Sequence, residues 1–67
     1  MYILRIKGSA KIPDYIQIRD DEFTLIAYFR PENPDKAIER CGLSEHILEI
    51  KEIINHLKYG KISKLQF

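Results

Sequence analysis

The sequence reads as an α+β domain: an antiparallel sheet of three or four strands with two helices packed on one of its faces. The expected order is β-β-β-α-α, with a C-terminal β as the fourth strand. Three observations predict it. The first thirty residues alternate apolar and polar side chains in short runs. The breaks between those runs are too short for a parallel crossover, so neighbouring strands must run antiparallel. After "RPENP" the apolar period lengthens from two toward that of a helix.

The first strand begins at once. From Tyr2 to Lys7, Tyr2, Leu4 and Ile6 share one face while Ile3, Arg5 and Lys7 share the other. Three apolar residues against one assign the even face to the core and the odd face to the outside. Gly8 to Asp14 then breaks the run with turn residues and with Pro13, which has no N–H to give a ladder. A second strand covers Tyr15 to Arg19, with Ile16 and Ile18 opposed to Tyr15, Gln17 and Arg19. Asp20 and Asp21 make a tight turn into the third, "FTLIAYFR". There Phe23, Leu25, Ala27 and Phe29 face the core, and Thr24, Ile26, Tyr28 and Arg30 face away.

Helical signals follow. Asn33 suits an N-cap, Pro34 the first helical position and Asp35 the positive end of the helix dipole. Ala37, Ile38 and Cys41 give this two-turn helix an apolar stripe, and Gly42-Leu43 has the form of a Schellman stop. Ser44 is the expected cap of the second helix, which should run to Gly60. Leu43, Ile47, Ile50, Ile53, Ile54 and Leu57 fall within about 60° of Ile50 at about 100° per residue, a core-facing stripe. The tail from Lys61 to Phe67 alternates and can return as the fourth strand.

Sixty-seven residues allow one domain, residues 1–67, with a small core. Cys41 is the single cysteine, so no internal disulfide forms; one Cys and two His cannot fill a tetrahedral zinc site. A lone thiol, no apolar run of membrane-spanning length and no signal-peptide pattern make the cytoplasm the expected location. Net charge is +1, yet residues 1–13 and 53–67 hold six bases and no acid, while residues 14–52 hold all ten acids. Where the ends meet, a positive side results.

No catalytic set assembles from these residues. Asp20, Asp21 and Glu22 fit a hairpin turn better than a cation site, which needs six or more oxygens around the ion. His46 and His56 stand about 15 Å apart along one helix, too far to share a metal, and His56 follows Glu52 by one turn as an ordinary surface pair. Cys41 lies at a helix C-terminus, the end that disfavours thiolate. Gly8-Ser9-Ala10-Lys11 precedes a strand, whereas a phosphate loop needs a following helix. A non-catalytic binding module without cofactor is therefore expected.

The outer sheet face carries that expectation. Its candidate binding residues are Arg5, Lys7, Tyr15, Arg19, Ile26, Tyr28, Arg30 and Lys64, rich in tyrosine and bases and without an acid. Tyr and Arg are the residues enriched at binding hot spots. The leading reading is contact with a protein partner, or self-association as a homodimer. One alternative is single-stranded RNA, with tyrosines stacking bases and bases tracking phosphates. Another is an accessory subunit of a larger enzyme complex. The bland counterpart is a solvated sheet face, where Thr, Tyr, Arg and Lys serve β-propensity and solubility.

Overall fold

A computed structural model of the chain describes residues 1–66; Phe67, the end of the predicted tail strand, lies outside the described residues. The expected α+β architecture is present. Strands β1 (Tyr2–Ile6), β2 (Tyr15–Arg19), β3 (Leu25–Phe29) and β4 (Ile62–Lys64) form one sheet in the order β3-β2-β1-β4, every pairing antiparallel. Helices α1 (Asp35–Arg40) and α2 (Ile47–His56) cover one face. Among the described residues, no helix is long and apolar enough to cross a membrane.

The core lies between the two layers. Ile3, Ile16, Ile18, Phe29 and Leu65 from the sheet side meet Ile38, Leu43, Ile50, Ile54 and Leu57 from the helical side. The apolar stripe anticipated along the second helix is the one that packs. Its four most buried members are Leu43, Ile50, Ile54 and Leu57, with Ile47 and Ile53 half-buried beside them.

β1 is turned over relative to the sequence expectation. Ile3 pairs with Ile18 and Arg5 with Ile16, and residues directly opposite in a ladder share a face. Ile3 is 0% exposed, in the core, and Tyr2, Leu4 and Ile6 lie on the open side. The count of apolar side chains was outweighed by the needs of one base. On the helical side, Arg5 donates from Nη1 to the Ile54 carbonyl at 3.4 Å, near the negative end of α2, and its Nη2 pairs with Asp14 at 3.4 Å. A single-residue slip exchanges a strand's two faces, and here it moves three apolar residues into the open.

β3 also departs from simple alternation. A bulge between Ile18 and Arg19 puts Leu25 opposite Arg19, and the strand proper starts at Leu25, not Phe23. The hairpin before it is a three-residue loop: Phe23 N–H donates to the Asp20 carbonyl and Asp20 N–H to the Thr24 carbonyl, both at 2.9 Å. The Asp20 carboxylate also accepts from Glu22 and Thr24 N–H at 2.9 Å. Phe23 takes φ +66°, the left-handed position that such loops normally fill with glycine. Its ring is held from two sides, edge-on by Tyr2 at 5.7 Å and under the Arg19 guanidinium at 4.7 Å.

The helix ends differ in detail. Asn33 closes a turn with its N–H on the Arg30 carbonyl at 3.1 Å, so α1 begins one residue after Pro34 without a side-chain cap. Its C-terminus is the anticipated Schellman motif: Leu43 N–H reaches the Ile38 carbonyl at 3.0 Å, Gly42 N–H reaches Glu39 at 3.1 Å, and Gly42 has φ +79°. Ser44 opens one turn of 3-10 helix, Ser44–His46, instead of capping α2. α2 stops at His56, earlier than expected, because Leu57 turns extended and Tyr59 forms a parallel bridge with Arg5; Gly60 N–H donates to the Arg5 carbonyl at 3.0 Å. The tail returns as β4, with Tyr2, Ile3 and Leu4 opposite Lys64, Ser63 and Ile62.

Candidate interaction surface on the open sheet face

Register alone builds this surface. One row across the sheet runs Lys64, Tyr2, Arg19, Leu25; the next runs Ile62, Leu4, Gln17, Tyr28; a third joins Ile6 to Tyr15. Ile26 adds to it from the bulge, and Tyr28 and Ile62 are 61% and 53% exposed. The centre is therefore aliphatic and aromatic: Leu4 and Ile6 on the middle strand, flanked by Ile62, Tyr15 and Tyr28.

Two contacts order its side chains. Tyr15 and Tyr28 pack ring to ring at 4.6 Å with a 42° tilt. Arg19 donates from Nε and Nη2 to the Gln17 side-chain oxygen at 3.3 and 3.0 Å, and from Nη1 to the Phe23 carbonyl at 2.9 Å. A guanidinium held by three hydrogen bonds to two acceptors and laid over a ring is preorganised.

Of the eight candidate residues, the structure brings six to this side. Tyr15, Arg19, Ile26, Tyr28 and Lys64 are on it, and Arg30, which continues the alternation past Tyr28, stands at its rim. Arg5 is on the opposite face, as described above. Lys7 lies beyond the end of β1, exposed, with Nζ 5.9 Å from the Tyr59 ring. Tyr2, Leu4, Ile6 and Leu25 escape the sequence reading because simple alternation assigns them to the core. The clue available was Ile3 itself, an apolar residue on what would otherwise be the polar side of β1.

Arg5 belongs to a structural cluster instead. Its guanidinium stacks 5.1 Å over the Tyr59 ring, and Nε is buried with no hydrogen-bond partner among the described residues. Asp14 gathers the cluster by accepting the Tyr59 hydroxyl at 2.6 Å and Gly8 N–H at 2.7 Å. The Tyr59 hydroxyl, then Gly8 N–H and then Arg5 hold the Asp14 carboxyl below the ordinary carboxylate range. Asp14 in turn pushes the Tyr59 phenol above its usual value. This network ties the β1–β2 loop to the segment between α2 and β4.

Elsewhere the groups with chemical potential lie apart from one another. The Cys41 thiol donates to the Ile38 carbonyl at 3.3 Å and is pushed up by burial, away from the thiolate. His56 faces Glu52 at 3.6 Å and His46 faces Glu49 at 3.5 Å, each on its own helical turn. A groove of about 570 Å³ lies between the start of α1 and α2, lined by Pro31, Pro34, Lys51, Ile54 and Asn55 and bridged by the Asp35–Lys51 pair at 2.8 Å. Among the described residues, no three His, Cys, Asp or Glu side chains converge. Compared with known proteins, the chain matches no family model, no curated protein and no solved structure.

Proposed function

We propose that this chain is a non-catalytic binding module whose open sheet face docks a protein partner with an apolar centre and an acidic rim. One observation carries the reading: all four strands contribute exposed or half-buried apolar side chains to a single uncovered face. The charges choose the partner. Lys64, Arg19 and Arg30 are the ionic groups at the face positions, and Asp21 beside Lys64 is taken by the Met1 ammonium, so the rim is net basic and a partner with Asp or Glu around an apolar patch is complementary. A second copy laid face to face would oppose base to base. RNA binding has lost two of the bases it relied on, Arg5 and Lys7.

A photo-crosslinking amino acid at Ile62, with Leu48 on the helical side as control, would capture the partner in expressing cells. The purified partner should bind wild type, and Leu4→Glu, with its fold checked by circular dichroism, should weaken it at least about tenfold. Binding should change little between about 50 and about 300 mM salt. Equal affinity of wild type, Leu4→Glu and Tyr28→Glu would sink the proposal. A steep salt dependence with an oligouridine probe would move the face to nucleic acid.

A further inference from the structure

The geometry points to a second site, the free edge of β3, as the place where two copies of this chain pair into one continuous sheet. This rests on the edge and not on the face: sheets joined edge to edge leave both open faces exposed, side by side.

β3 is terminal in the order β3-β2-β1-β4, so its outward N–H and C=O groups have no neighbouring strand. Among the described residues, no loop or side chain takes a hydrogen bond from, or gives one to, the backbone of Leu25–Phe29 outside the sheet. Natural edges are normally guarded by charge, proline or a covering element. The five residues "LIAYF" hold no charge and no proline. The bulge that would twist an edge away sits at one end, between Ile18 and Arg19, and leaves Ala27, Tyr28 and Phe29 in regular pairing. The opposite edge, β4, is three residues long and carries Lys64.

The ends of β3 decide in favour of a second copy. At its start stands the hairpin tip, where Asp21 is taken by the Met1 ammonium and Glu22 is left as the acid that can face a second copy; at its finish stands Arg30. Two β3 strands paired antiparallel about a twofold axis near Ala27, the middle of Leu25–Phe29, set each Arg30 beside the other copy's hairpin tip. Among the described residues, neither Glu22 nor Arg30 has a side-chain partner within its own chain. Glu32, the acid next along, lines the groove between the helices. A strand whose two ends are oppositely charged is self-complementary only when antiparallel, which is what an isologous twofold contact requires.

The interface is small. Five residues span about 17 Å and give only a few new backbone bonds, below the burial of a standard stable interface, so a dimer in the micromolar range is expected. Sedimentation equilibrium across a concentration series tests it on wild type, Glu22→Lys, Arg30→Glu and the double exchange. Each single reversal sets two like-charge contacts in the dimer and should weaken it about tenfold; the double exchange restores the pairing and the affinity. Exchange of the Leu25–Phe29 amides should slow as wild-type concentration rises. A wild type that stays monomeric to millimolar concentration overturns the proposal. So does a dimer that ignores both charge reversals but dissociates in Leu4→Glu, which would be a face-to-face contact.

Discussion

Replacing Ile3 by alanine tests the placement of β1, on which the open face depends. Ile3 is 0% exposed and touches both layers of the core. Alanine removes three carbons, at about 0.8 kcal/mol each about 2.4 kcal/mol of transfer energy. A residual cavity raises the cost to about 3 kcal/mol, inside the usual range for such truncations. A domain of this size has a total stability of only about 3–10 kcal/mol. Its melting temperature should therefore fall by about 12–24 °C, at about 4–8 °C per kcal/mol. Leu4→Ala, on the open face, should cost less than about 1 kcal/mol. Urea titrations of both variants, followed by circular dichroism, give the comparison directly. If Leu4→Ala proves the more destabilising, β1 is the other way up and the reasoning about the face fails with it.

Three other perturbations probe particular contacts. Tyr59→Phe removes the largest contribution holding the Asp14 carboxyl down, so its titration midpoint, read by carboxyl carbon NMR, should rise toward the ordinary value. Because that carboxyl is depressed in the folded chain, its stabilising effect is present above the unfolded carboxylate range and is lost as pH falls through the folded midpoint; Tyr59→Phe should flatten this acid dependence. A Cβ on Gly8 would come 2.0 Å from the Ile12 carbonyl oxygen and 2.8 Å from Asp14 N, so Gly8→Ala must open the β1–β2 loop and should cost about 2 kcal/mol or more in thermal unfolding. Asp35→Asn breaks a half-exposed pair with Lys51 and should cost at most about 1 kcal/mol, a loss that disappears in high salt.

What could be read from the sequence was whatever depends on neighbouring residues. The β2 alternation, the Gly42-Leu43 stop and the α2 stripe each follow from a few consecutive side chains, and each appears in the fold. The return of the tail as β4 was legible for the same reason. The failures come from partners distant in the chain. Nothing local to β1 reveals that Arg5 will meet Asp14 nine residues on, and Ile54 and Tyr59 in the last third of the chain. The sheet does keep one face open, as the alternation implies, but its make-up differs: without Arg5 and with Tyr2, Leu4, Ile6 and Leu25 it is more apolar and less basic. α2 ended early because Gly60 N–H is spent on the Arg5 carbonyl, a contact outside the reach of any helix-stop rule.

The β1–β4 pairing carries a consequence for the order of assembly. β1 meets β2 across a loop of about ten residues, whereas its pairing with β4 closes a loop of about sixty, an additional entropic cost of about 1.6 kcal/mol. Only three residue pairs repay it, together with Leu65 N–H on the Met1 carbonyl at 2.8 Å. The meander and its helices can thus form first, with β1 still an edge, and β4 arrives last. The same step reversed is a partial opening of the molecule, and it bares the Ile3–Leu4 backbone while most of the core stays closed. Amides of Ile62–Lys64 should accordingly lead those of β2 in hydrogen exchange, and a protease would find its first foothold at that seam.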